Sequence, residues 1–182
     1  MGEIKKPEKV KLICGILISR LLYEKYFSRV TSILTSHFGE IDYQSDLIDF
    51  TFTNYYKDEI GREVYRIFVS FKKLIEKEDI SSIKVLTNEI EESFSYKVLN
   101  LKRPLNLDPG YMELSKLVLA STKNFYHRIY LRNGIYGEVT LYYSKKMWND
   151  LPWTFPDYRS KEYKRILTEI RNIYKKQIGG NE

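Results

Sequence analysis

Three side chains in the second half of the chain could move protons or share a hard cation: Asp108, His127 and Glu138. Carboxylates and imidazole are the groups that serve as general acids and bases near neutral pH, and carboxylate oxygens are the ligands of divalent cations. Residues suited to an anionic ligand lie around them. Lys116, Arg128 and Arg159 offer positive charge to phosphate oxygens, the arginines by two-pronged contact. Gly110 would let a ligand approach the backbone. The stretch LPWTFPDYRS adds Trp153, Phe155, Asp157 and Tyr158. It reads either as a loop closing over a ligand or as one stapled to a sheet by its aromatic rings.

The triplet Asp108-Pro109-Gly110 has two readings. Asp is a favoured helix N-cap and Pro a favoured first helical residue, so the triplet predicts a helix over 109–122. Leu114, Leu117, Val118 and Ser121 would mark that helix. In the other reading a strand feeding a helix start leaves backbone donors at an open end, and Asp108 contacts a ligand or metal.

His127 and Glu138 meet only if the chain between them folds back. Asn133-Gly134 is the pair that makes a two-residue hairpin turn, between strands expected at 125–132 and 135–143. That turn sets Arg132 opposite Ile135, Ile129 opposite Glu138 and His127 opposite Thr140. His127 and Glu138 then become diagonal neighbours on one face, with Arg128 on the other. A regular hairpin therefore admits His127 or Arg128 to a site, but not both.

The elements that must position these residues follow from periodicity. Val10 to Ile18 is apolar and β-branched, the pattern of a strand covered on both faces. Leu22, Tyr26, Val30, Ile33 and Leu34 recur at helical spacing, with Gly39 as the stop. Strands are expected over 41–53, 64–71 and 103–107, and a loop over 54–61 with Tyr55, Tyr56, Asp58 and Glu59. A helix capped by Asp79 or Ser81 carries Ile80, Ile83, Leu86, Ile90 and Phe94. Ser160 caps a last helix bearing Tyr163, Ile166, Leu167, Ile170 and Tyr174. The fold expected is α+β, an antiparallel or mixed sheet with helices packed on it. Its first six elements suggest a ferredoxin-like β-α-β-β-α-β core, extended by the hairpin and the C-terminal helix.

Length and composition bound the class. The 182 residues carry no repeat and no Gly/Ser/Pro-rich linker, which predicts one domain, 1–182, with a core over roughly 9–176. A net charge of +6 makes the chain basic and permits an anionic partner, RNA included, without a basic block that would mark a nucleic-acid arm. Cys14, the one cysteine, sits in the apolar run LICGILI and reads as a buried thiol in a reducing cytoplasm. That run is too short to span a bilayer, so no membrane partner is expected. Ala120 is the only alanine, while Ile, Lys, Glu and Tyr abound, as in an AT-rich genome or a thermophile. Two scattered histidines and one cysteine make no zinc spacing. No G-x-x-x-x-G-K-[ST] loop, no G-x-G-x-x-G and no G-x-S-x-G occurs.

The blocks KLICGIL, FTNYYKDEIG, NLDPGYMELSKLVLAST, HRIYLRNGIYGEVTLYY and LPWTFPDYRS, in that order, resemble an uncharacterised prokaryotic family. That family is classed as a domain of unknown function, and its members are often labelled GTP-binding although no phosphate-cradling loop is present. The resemblance spans roughly Lys9 to Lys176 and implies a single-domain cytoplasmic protein.

These readings converge on one expectation. A phosphorylated small molecule or nucleotide is bound or processed where the Asp108 turn, the hairpin and the 151–160 loop meet. A divalent cation is the cofactor the carboxylates would suit. An RNA-binding module and a non-catalytic partner subunit are the alternatives.

Overall fold

The strand Val10–Ser19 (β1) is buried along its whole length, as its unbroken apolar run requires. The computed structural model describes residues 2–52, 60, 63–95 and 101–179. The loop expected over 54–61, with its tyrosines and carboxylates, lies outside the described residues apart from Ile60.

Helix α1 (Arg20–Phe38) begins where the Ser19 hydroxyl accepts the Leu22 N–H, and it ends at Gly39, whose φ of 90° suits only glycine well. The segment expected as one strand over 41–53 is two short ones, β2 (Ile41–Gln44) and β3 (Ile48–Asp49), both laid on β4 (Val64–Ile75). Helix α2 (Ile80–Phe94) follows a short turn in which Glu76 and Asp79 cap each other's backbone. Helix α3 (Lys161–Ile178) starts at Ser160, whose hydroxyl accepts the Tyr163 N–H.

Asp108 caps nothing. Residues 105–112 form strand β5 (Leu105–Met112), and the helix expected over 109–122 is instead a turn and strand β6 (Lys116–Ser121). Eight residues of β5 pair with β1, and that ladder overrides the local helix-start signal. Pro109 is tolerated because β5 pairs with β6 only from Gly110 onward, so the proline stands where that side of the strand has no partner. Gly110 is packed tight: a Cβ there would lie 2.4 Å from the Val118 carbonyl oxygen.

The hairpin forms around Asn133-Gly134, both at positive φ (56° and 72°), between β7 (Ile129–Arg132) and β8 (Ile135–Ser144). Arg132 faces Ile135 as expected. A register shift between Tyr130 and Arg132 then sets Ile129 opposite Gly137, not Glu138. The 125–128 segment is not a strand, and β9 (Met147–Asp150) adds a pair to β8 that periodicity had not indicated.

Among the described residues, nine strands make one antiparallel sheet in the order β2-β4-β1-β5-β6-β8-β7, with β3 on β4 and β9 on β8. Within it, β1-α1-β2-β4-α2-β5 has the interleaved arrangement of a ferredoxin-like core. Helices α1 and α2 cover one face through Leu22, Leu34, Ile83 and Phe94 against Ile16, Val69 and Leu107. Helix α3 covers the other, setting Ile166, Leu167 and Ile170 among Ile13, Phe68 and Leu141. Full burial of each such aliphatic side chain contributes about 2 kcal/mol. No helix among the described residues is long and apolar enough to cross a membrane.

Candidate functional site

Where β5 and β6 part, the sheet opens a cleft on the α3 face. The ladder between them ends at Gly110–Leu119, while β6 continues beside β8 to Ser121. The gap holds a cavity of about 190 Å³, floored by Arg66, Asp108 and Glu138 and walled by Phe50, Phe52 and Phe155. Space continues past Ser121 and Arg128 toward Lys84 and Arg103, where a further region measures about 410 Å³.

Arg66 is the centre of the floor. It rises from β4, 3% exposed, crosses β1 above Gly15 and meets Asp108 on β5, Nη1 to Oδ2 at 2.9 Å. Its Nη2 reaches Asp157 Oδ2 at 3.4 Å. The Phe50 and Phe68 rings lie 5.6 and 5.7 Å from the guanidinium, so aromatic faces share its charge with the carboxylates.

The two carboxyls are driven apart in proton affinity. Burial would raise Asp108, but the charges of Arg66 and Lys84 overcome it and hold the group below the usual carboxylate range. Burial dominates at Asp157, where Arg66 offsets it only in part, so that carboxyl is raised. The Tyr158 hydroxyl, buried beside them, is also pushed well upward by burial. It has no hydrogen-bond partner among the described residues.

Glu138, on β8, closes the other end. Its Oε2 accepts from His127 Nε2 at 2.9 Å and from Arg128 Nε at 2.6 Å, and its Oε1 accepts the Thr140 hydroxyl at 3.3 Å. The expectation that His127 and Arg128 point to opposite faces fails, because the chain turns at Tyr126-His127 and only enters β7 at Ile129. Both side chains therefore reach the same carboxylate. Arg128 also donates Nη1 to the Ser121 hydroxyl (3.1 Å) and the Lys123 carbonyl (2.9 Å).

The expected cluster is thus divided. Asp108, Glu138, Arg128, Asp157 and Tyr158 line the cleft. His127 stands behind it, stacked on Trp153 at 5.0 Å with the rings 9° from parallel. Among the described residues Asp108 and His127 share no partner, since one holds Arg66 and the other Glu138. Among the described residues no group of three His, Cys, Asp or Glu side chains is spaced to hold a metal ion.

The remaining expected ligand residues do structural jobs. Trp153 donates Nε1 to the Val139 carbonyl at 2.8 Å, and Arg159 ties the carbonyls of Thr154, Pro152 and Leu151 together. The 151–160 loop is stapled to the sheet and contributes Phe155, Asp157 and Tyr158 to the cleft. Lys116 pairs with Glu113 at 3.0 Å, at the far end of β6 from Ser121, roughly 17 Å along the strand. Gly110 packs against the Val118 carbonyl and the Leu119 side chain.

Arg66, Phe50 and Phe52 were not among the residues expected at the site, whereas Phe155 was. A signal existed for Arg66: a lone arginine in the apolar run VYRIFVSF needs a buried partner. Gly15 inside LICGILI marked the matching position, since glycine within a strand signals a close approach. Phe50 and Phe52 left none, because an aromatic at a loop or strand end has no periodicity to betray it.

A family model described as Domain of unknown function (DUF4416) matches residues 8–174. No curated protein and no solved structure matches the chain.

Proposed function

The chain belongs to the DUF4416 family, and from that premise and the cleft's chemistry we propose that it binds a phosphorylated small molecule of nucleotide size. The observation that carries this reading is the parting of β5 and β6, which brings an aromatic wall and an arginine–hydroxyl pair to one opening. Phe52 and Phe155 are each about two-fifths exposed and offer a planar ring two apolar faces. Arg128 is oriented by Glu138, and with the Ser121 hydroxyl it offers a phosphate a charge-assisted donor set. A volume of a few hundred Å³ suits a ligand of this size.

In this reading Arg66 is held between Asp108 and Asp157 at the floor of the cleft. It positions both carboxyls against the bound molecule. Tyr158 supplies a hydroxyl to a ligand oxygen beside them.

A thermal-shift screen tests the reading, with nucleotides, sugar phosphates and divalent cations against the protein and its Phe155→Ala and Ser121→Ala variants. A ligand that binds the folded state raises Tm by mass action. The expected result is a rise with a phosphorylated compound that shrinks in both variants, whose ligand-free Tm stays within a few degrees of the parent. A flat response to every compound overturns the proposal.

A further inference from the structure

The segment FYHRIYL, residues 125–131, is turned inside out relative to an ordinary surface. Its apolar residues Phe125, Tyr126, Ile129, Tyr130 and Leu131 are exposed, Tyr126 to 78% and Ile129 to 73%. Its polar residues, His127 and Arg128, are turned inward onto Glu138. The strand that follows from it, β7, ends the sheet: it pairs with β8 on one side and, among the described residues, with nothing on the other. All four of its residues are exposed.

From this we infer that β7 is the interface of a two-fold homodimer, in which the β7 edges of two copies pair antiparallel and continue the sheet. Three observations select a second copy as the occupant. A bare strand edge is satisfied by another edge, and antiparallel pairing of identical strands about a two-fold supplies it without a further partner. The five apolar side chains expose roughly 600 Å² per copy, close to the ~800 Å² per partner of a stable interface.

Charge is the third and most discriminating. Two copies meeting here would bring Arg128 and Arg132 toward their counterparts, which would repel if they pointed outward. Arg128 is instead neutralised by Glu138, and Arg132 reaches back to Ser81, Ser82 and the Glu78 carbonyl on the α2 side. Both arginines are thereby held by groups of this chain, Arg128 by a carboxylate and Arg132, itself exposed, by neutral oxygens.

Pairing there would also cover the groove formed by Phe125, Tyr126, His127 and Trp153, which borders the cleft at Phe155 and Arg128. The dimer therefore holds the segment that positions Arg128. It does not depend on what the cleft binds.

Sedimentation velocity over a range of protein concentrations tests the inference on the full chain, with Ile129→Lys and Tyr126→Lys variants. A lysine on an edge strand opposes pairing by charge and solvation. The parent is expected to sediment as a dimer, and each variant to weaken association at least tenfold. Far-ultraviolet circular dichroism should match the parent. Tyr126 lies outside the strand, so its variant reports the interface even if Ile129→Lys disturbs β7. A parent that stays monomeric at about 100 µM, or a dimer unaffected by either lysine, overturns the inference. Capture of RNA or anionic vesicles by a monomer, lost in Tyr126→Lys, would overturn it too, by assigning the patch to another partner.

Discussion

Arg66 occupies the space that a side chain on Gly15 would need. A Cβ on Gly15 would lie 2.7 Å from Arg66 Nη1 and 3.3 Å from the Tyr158 hydroxyl oxygen. The guanidinium can cross from β4 to Asp108 on β5 only because the intervening strand presents glycine at that point. Gly15→Ala is therefore expected to destabilise by about 1–3 kcal/mol through overpacking, in a strand where alanine would ordinarily help. Urea unfolding measures it. A stabilised variant would mean that Arg66 is not held over β1.

The two carboxyls on Arg66 should answer pH in opposite senses. Asp108 is depressed when folded, so its stabilising contribution is present above the ordinary value near ~3.9 and fades as pH falls through the lower folded value. Asp157 is raised, so it costs stability as pH climbs from ~3.9 through its folded value, and falling pH relieves that cost. At pH 7, Asp108→Asn should lose on the order of 1–3 kcal/mol, and Asp157→Asn clearly less. Urea midpoints from pH 3 to 8 decide the matter; equal losses at pH 7 would contradict the assignment.

Trp153→Phe removes the Nε1–Val139 bond while keeping a ring against His127. The cost expected is about 1 kcal/mol, with faster hydrogen exchange at the Leu151 and Thr154 amides, which the same staple protects. Unchanged exchange would show that Arg159 and the Thr154 hydroxyl on the Thr140 carbonyl anchor the loop without it.

Gly134 has open space around it and a φ of 72°. Gly134→Ala is expected to cost about 1 kcal/mol by backbone strain alone, read as a lower Tm. No change would place the turn in a different geometry.

Lys116→Ala should leave the binding of any phosphorylated ligand unchanged, while Phe155→Ala weakens it at least tenfold. Titration calorimetry distinguishes the two, and a loss in Lys116→Ala would move the site away from the parting of β5 and β6.

The local features were legible in the sequence. Ser160 as a cap, Gly39 as a stop, the Asn133-Gly134 turn and the buried β1 each depend on the chain within a few residues, where side-chain hydrogen bonds and permitted φ, ψ act directly. The contact of His127 with Glu138 was legible too, although by a different path. The turn at 126–127, not a regular register, brings them together, and it carries Arg128 with them.

What tertiary structure alone decided is the role of Asp108. By local rules Asp-Pro-Gly starts a helix, and every residue in it satisfies that reading. Eight paired residues on β1 and a guanidinium from Arg66, 42 residues earlier in the chain, outweigh the cap. Helix propensity and capping differ by a kcal/mol or so per residue, whereas a buried arginine without its carboxylates costs several. That larger energy belongs to a pairing between distant strands, and no stretch of sequence around Asp108 contains it.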